Sequence, residues 1–296
     1  MAAHYFPLLY GATIHPKLGF TIVMEYCSLG DLRTYISTNN SSISWSERRS
    51  IMHEISIAIS MAHEQHIIHC DLHTGNILRA NHQDTVRVKV TDFGLSRILG
   101  SSFYIRNGTY GVLPYMAPEL IQGAVYSKAT DIYALGMIMW ELSAGTPPFT
   151  GYNDDAYLTL RICEGVRPPS LEGTPTCWVE LMTKCWHPNP DSRPSADDIC
   201  DEIEAWSECS RTPWNPNVDT TRSVFQYNAA NLNAVEQFKV AEEHRKQNPP
   251  PVWEQRGLYT SNLVPRISKT SSKAKQTKDT EKNVIDNDEW DEMVRR

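Results

Sequence analysis

His69-Cys70-Asp71-Leu72-His73-Thr74-Gly75-Asn76 is the stretch on which the reading of this chain turns, and Asp92-Phe93-Gly94 is its companion further on. The first lies in the loop after a helical pattern. Ser44 with Glu47 makes a capping box, and Ile51, Ile55, Ala58 and Ala62 then recur at helical steps to a stop near His66. The second follows directly on Val86, Val88 and Val90, which alternate with Arg87 and Lys89 in the period of a half-exposed strand. Upstream, Phe20 to Met24 is a short β-forming apolar run between Gly19 and the Ser28-Leu29-Gly30 turn, which predicts a buried strand. Downstream, Asp131 to Ala144 is apolar on nearly all sides and predicts a buried central helix. Trp178, Leu181, Met182 and Cys185 mark another helix, and Ser195, capping toward Asp198, opens a last one with Ile199, Ile203 and Trp206. A few strands followed by many helices is an α+β order.

The chain has 296 residues, room for one large domain or two small ones around a sizeable core. Its 28 Lys plus Arg against 35 Asp plus Glu give a formal net charge of -7, which argues against a nucleic-acid binder working through a strongly basic surface. The apolar run Ile132 to Trp140 is far short of the roughly 20 residues of a membrane span, so none is expected. Met1 to Pro7 shows no secretory signal. Seven cysteines (27, 70, 163, 177, 185, 200 and 209), odd in number and without a C-x-x-C pair, read as reduced thiols and point to the cytoplasm or the nucleus. Near residue 210 the patterned sequence gives way to Arg211-Thr212-Pro213-Trp214-Asn215-Pro216-Asn217 and then to mostly polar sequence. Leu232, Val235, Phe238 and Ala241 predict one amphipathic helix over 231–247, stopped by Pro249, Pro250 and Pro251. Beyond Pro265, lysines among Ser and Thr precede an acidic end, too polar to offset chain entropy; disorder is expected there, open to a partner protein.

Three further blocks stand in order: Ala117-Pro118-Glu119, Asp131 opening the apolar helix that holds Gly136, and Cys185-Trp186-x-Pro188-x-x-x-x-Arg193-Pro194. With the two stretches quoted first, they make the chain resemble a eukaryotic protein kinase over roughly Ala3 to Trp206. Within the kinases it looks closest to the tyrosine-kinase-like group, and Glu236-Gln237-Phe238-Lys239-x-Ala241-Glu242-Glu243 resembles the tails of fungal members. The resemblance implies a two-lobed α+β fold with a truncated N-lobe, a mainly helical C-lobe and a largely disordered C-terminal tail. Residues 1–30 would be the N-lobe remnant with strands four and five and the hinge, 31–209 the C-lobe, and 210–296 the tail. It also implies transfer of the ATP γ-phosphate to hydroxyls of a protein substrate, with Mg2+ as cofactor. A catalytically inactive docking scaffold is the rival from another class. His63, His66, His69, Cys70 and His73 bring imidazole and thiol together as in a metal site, but at no closed tetrahedral spacing.

Carried over by motif, Asp71 would accept the substrate proton and orient the attacking oxygen, while Asn76 and Asp92 would hold magnesium, a hard cation that takes oxygen ligands. Phe93 and Gly94 complete the second motif, Phe93 packing beneath the site. His69 and Asp131 would anchor the catalytic loop, and Glu119 with Arg193 would form a buried ion pair. On the nucleotide side Met24 stands as gatekeeper, the backbones of Glu25 and Cys27 meet the adenine, Asp31 the ribose, and Leu78 adds to the same surface.

Departures from the family pattern matter as much. No glycine-rich loop, no strand-three lysine and no partner glutamate stand upstream of Asp71, so the sequence is expected to be a fragment of a longer kinase. Cys70 replaces the arginine that grips an activation-segment phosphate, so loop phosphorylation should matter less. Val112 stands where serine/threonine kinases carry threonine, and His73 where they carry lysine, which leaves serine, threonine and tyrosine all open as acceptors.

Overall fold

The computed structural model describes residues 4–82, 85–99, 109–152, 154–207, 229–249 and 261–264. Its strands pair only in twos, always antiparallel, and the bulk of the core belongs to helices. β1 (Leu9–His15) and β2 (Gly19–Met24) form the first ribbon, with Leu9 opposite Met24 and His15 opposite Gly19. The strand expected over Phe20 to Met24 is present but not buried: Phe20, Ile22, Val23 and Met24 are all exposed. A two-stranded ribbon by itself offers no second layer against which either face can be covered.

α1 (Leu32–Asn39) is capped by Asp31, and α2 (Trp45–Glu64) by Ser44, whose hydroxyl accepts the Glu47 N–H at 3.1 Å. The returning half of the expected capping box does not form, because the Glu47 carboxylate accepts the Tyr35 hydroxyl at 2.7 Å instead. His66, in the left-handed region at φ 59, turns the chain into β3 (Ile67–Ile68). β4 (Ile77–His82) and β5 (Thr85–Val90) make a hairpin against α2, and Val88, Lys89 and Val90 are buried. Glu54 of α2 holds that strand by accepting the Val88 N–H at 2.8 Å and the Arg87 guanidinium at 2.5 Å. β6 (Arg97–Ile98) pairs with β3, and β7 (Thr109–Gly111) follows.

The remaining helices are α3 (Pro118–Ile121), α4 (Lys128–Ala144), α5 (Asp155–Cys163), α6 (Thr176–Cys185), α7 (Ala196–Ala205) and α8 (Ala229–Gln247), with β8 (Asn262–Val264) last, paired to β7. α4 runs through the middle of the core and starts three residues before Asp131; nearly all of it is buried. At Gly136 it passes so close to α6 that a Cβ would lie 2.9 Å from Cys185 Cβ. Arg48, buried in α2, donates to the carbonyls of Ile43 and Asn40 and to the Leu142 carbonyl at the end of α4. These bonds satisfy carbonyls that a helix end or a loop leaves open.

The helix read from 231–247 starts at Ala229 and is docked on the helical body. Phe238 meets Trp45 and Trp206 at ring-centroid distances of 6.1 and 5.6 Å. Its polar side chains cap two other helices. Glu242 accepts the Trp45 N–H at 2.9 Å at the start of α2, and Gln237 accepts the Cys177 N–H at 2.8 Å at the start of α6, where Pro175 can offer no side-chain cap. The stretch beyond Pro265 lies outside the described residues.

Candidate active site

Asp131, in the first turn of α4, organises the loop of the first motif. Its Oδ2 accepts the His69 N–H at 2.8 Å and His63 Nε2 at 2.9 Å, and its Oδ1 accepts the Cys70 N–H at 3.1 Å. Cys70 takes the bend at φ 71 and turns its thiol inward onto the Ile68 carbonyl. Burial, with Asp131 beside it, raises that thiol far above its ordinary value, so it stays protonated. His69 Nδ1 accepts the Asp71 N–H at 3.3 Å, which assigns the ring proton to Nε2 and its donation to the Thr91 carbonyl at 2.9 Å. One imidazole thus ties the loop to the residue before Asp92.

Asp71 projects from this loop, buried. Burial raises its pKa; the Ser261 hydroxyl and His69 oppose the rise, and the Asp92 charge adds to it. Oδ2 accepts Ser261 Oγ at 2.5 Å, while Oδ1 is buried with no hydrogen-bond partner among the described residues. Asn76 bridges the two motifs: its Nδ2 donates to the Asp71 carbonyl and its own carbonyl accepts the Thr91 N–H, both at 2.9 Å. Asp92 sits exposed in the left-handed region (φ 60, ψ 64), tolerable for an aspartate whose Oδ1 accepts the Gly94 N–H at 3.3 Å. Phe93 packs between the His69 ring at 4.7 Å and the Phe6 ring at 5.6 Å.

Further from the loop, Arg193 grips Glu119 through two parallel bonds of 2.7 and 2.8 Å and also donates to the carbonyls of Ala129 and His187. On the hinge side the residues are less alike. Met24 is exposed and Cys27 buried. The Glu25 N–H is taken by the Leu8 carbonyl at 2.8 Å, and its carboxylate by Lys89 Nζ at 2.8 Å, which leaves the Glu25 carbonyl as the group open to a ligand. Asp31 bridges to Leu78 and spends both carboxylate oxygens on Thr34.

Several members of the site escaped sequence reasoning. Glu141, buried in α4, accepts the Thr74 hydroxyl at 3.0 Å and the Tyr115 hydroxyl at 2.6 Å, and so pins the loop from below. A lone carboxylate inside an apolar helix was its one visible signal. Lys89 and Ser261 carried no such signal. Of the imidazole and thiol cluster, the His63 ring is spent on Asp131, the His69 ring on the Thr91 carbonyl and the Asp71 N–H, and the Cys70 thiol on the Ile68 carbonyl, and no group of three or more metal-ligating side chains is found among the described residues. Ser101, Ser102, Tyr104 and Arg106 of the activation segment lie outside the described residues. No helix among the described residues is long and apolar enough to cross a membrane.

Residues 4–203 match the family described as protein tyrosine and serine/threonine kinase. Among individual proteins, the chain is 32% identical over 191 residues to the serine/threonine/tyrosine-protein kinase HT1 of Arabidopsis thaliana, covering 64% of this chain and 48% of that protein. It is 33% identical over 211 residues to the human ankyrin repeat and protein kinase domain-containing protein 1, covering 66% of this chain and 26% of that protein. The chain thus spans less than half the length of the curated relatives it matches.

Proposed function

The chain belongs to the protein tyrosine and serine/threonine kinase family, and we propose that it transfers the γ-phosphate of ATP to seryl and threonyl hydroxyls of a protein substrate, as a signalling kinase of the tyrosine-kinase-like group working in the cytoplasm. The observation that carries this is Asn76, whose side chain and backbone bind the Asp71 segment to the Asp92 segment and so hold the acceptor-side carboxylate and the phosphate-side carboxylate in one frame.

Phosphoryl transfer is chiefly positioning and charge. Asp71 Oδ2 receives the proton of the incoming hydroxyl as the new oxygen–phosphorus bond forms. The bond from the γ-phosphorus to the bridging oxygen breaks, its electron pair leaving on ADP. Neutral His73 beside Asp71 supplies no second charge, so the carboxylate keeps its basicity. His69 and Asp131 hold the loop still while this happens. The Asn76 Oδ1 accepts no hydrogen bond from the described residues, and with Asp92 it makes a donor set of two oxygens and no larger cage. That set fits Mg2+, which keeps waters and binds through one or two protein oxygens together with phosphates. Bound there, Mg2+ would neutralise the charge on the phosphates.

A catalytically inactive docking scaffold is the second reading, favoured by the Ser261 hydroxyl that occupies Asp71 Oδ2 at 2.5 Å. Incubation of the full chain with Mg-ATP and casein discriminates the two. Label entering casein from the chain, and not from Asp71→Asn, is the result expected of a kinase. Equal label from both, or none from either, leaves the scaffold.

A further inference from the structure

We propose that Ser261 is the chain's own phosphoryl acceptor, delivered to Asp71 by a tail strand that occupies the acceptor groove. The proposal rests on the kinase reading above. Ser261 Oγ donates to Asp71 Oδ2 at 2.5 Å, close enough for a general base to take its proton. The seat is made by backbone. β8 runs antiparallel to β7, with Asn262 opposite Gly111 and Val264 opposite Thr109, so the tail adds a strand to the activation segment. In such strand addition the main chain supplies the hold and alternate side chains the selection. Val264 is the selecting group: it is 7% exposed and belongs to the apolar core cluster. Gly111 lets the strand come near the carboxylate, since a Cβ there would lie 3.3 Å from the Met116 side chain and 3.7 Å from Asp71 Oδ1.

A strand that merely plugged the groove would need no hydroxyl on the carboxylate, whereas this one places its single seryl oxygen there. α8 is docked on the body through Phe238, Gln237 and Glu242 and ends at Gln247, so Ser261 follows along the chain from a point held against the same body. A short tether holds its cargo at an effective concentration on the order of millimolar, without any further contact. In the step itself Ser261 Oγ bonds to the γ-phosphorus of ATP, its proton passes to Asp71, and ADP leaves with the electrons of the broken bond. The phosphoserine so formed carries about two negative charges beside Asp71 and Asp92, and like-charge repulsion then drives the strand out of the groove.

Two measurements on the full chain test this. Amide hydrogen exchange at Thr109 and Gly111, which flank Tyr110, whose own N–H is held by the Tyr126 hydroxyl, should be slow and should rise at least tenfold in Val264→Asp, which replaces the buried anchor with a charge. Unchanged exchange means that the strand is not seated, and it overturns the proposal whatever the activity. Incubation with Mg-ATP and casein, followed by mass spectrometry, should find phosphate on Ser261 at a rate unaltered by hundredfold dilution and absent in Ser261→Ala. If casein is labelled and Ser261 is not, or if the Ser261 rate falls in proportion to dilution, the acceptor assignment fails while the kinase reading stands. If neither is labelled, both fail.

Discussion

His73 Nε2 lies 3.9 Å from Asp71 Oδ2, with both side chains buried. His73 Nδ1 accepts the Gly75 N–H at 3.1 Å, so the proton sits on Nε2, toward the carboxylate. Burial first, and then the Arg33 guanidinium, push the imidazole down to about 3. The neighbour of Asp71 is therefore a neutral donor and not a fixed cation, which separates this site from one built with lysine at the same place.

That histidine makes stability depend on pH. An unfolded histidine takes up its proton near pH 6.5, whereas folded His73 does so only near 3, so the unfolded chain binds more protons in between. The contribution is complete above about pH 6.5 and is lost as pH falls, at up to about 1.4 kcal/mol per pH unit. His53, lowered by burial, acts in the same direction. Thermal melts should show Tm dropping between about pH 7 and about pH 5, with a shallower drop in His73→Gln. Identical slopes would remove His73 as a source.

Asp71→Asn should lower the turnover of casein phosphorylation by about 10²- to 10⁴-fold, the range for losing a positioned proton acceptor. In the proposed role the carboxylate acts on the acceptor hydroxyl, so the Kd for Mg-ATP measured by calorimetry should move less than about threefold. A large loss of nucleotide affinity would place Asp71 on the phosphate side instead.

Glu119→Gln should destabilise by about 3–5 kcal/mol, since Arg193, whose side chain is fully buried, would lose its counter-charge. Replacing both partners with apolar residues should cost less than the single change. Urea unfolding of the single and double variants measures this, and additive losses would argue against a coupled pair.

Gly136→Ala should cost about 1–3 kcal/mol by forcing α4 away from α6, because the added methyl would meet Cys185 Cβ at 2.9 Å and the Met182 carbonyl at 3.2 Å. Pairing it with a smaller neighbour, which Cys185→Gly supplies, should recover part of the loss. No recovery would mean that the backbone carbonyl, and not the side chain, sets the limit.

What the sequence determined by itself is what a few neighbouring residues encode. The capping of α7 by Ser195 with Asp198, the apolar run of α4 and the helical steps of α2 and α6 are local patterns, and the structure has them at the expected places within a few residues. Ordered motifs likewise sufficed for the family, because each block is short and their succession is specific. The same motifs named His69, Asp71, Asn76, Asp92 and Asp131, which the fold gathers around one loop.

Tertiary structure alone decided who meets whom. The Glu47 carboxylate left its own helix cap for Tyr35, a choice no spacing reveals because a competing hydroxyl arrives from another helix. β2 was apolar enough to be buried and is exposed, since burial depends on what packs over a strand and not on the strand. Gln237 and Glu242 read as ordinary polar positions of an amphipathic helix and prove to be caps for α6 and α2. Ser261 stands 190 positions from Asp71 along the chain, and nothing in either neighbourhood marks the other. A hydrogen bond is decided by a fraction of an ångström and by the absence of a better partner. Those conditions exist only once the chain has folded.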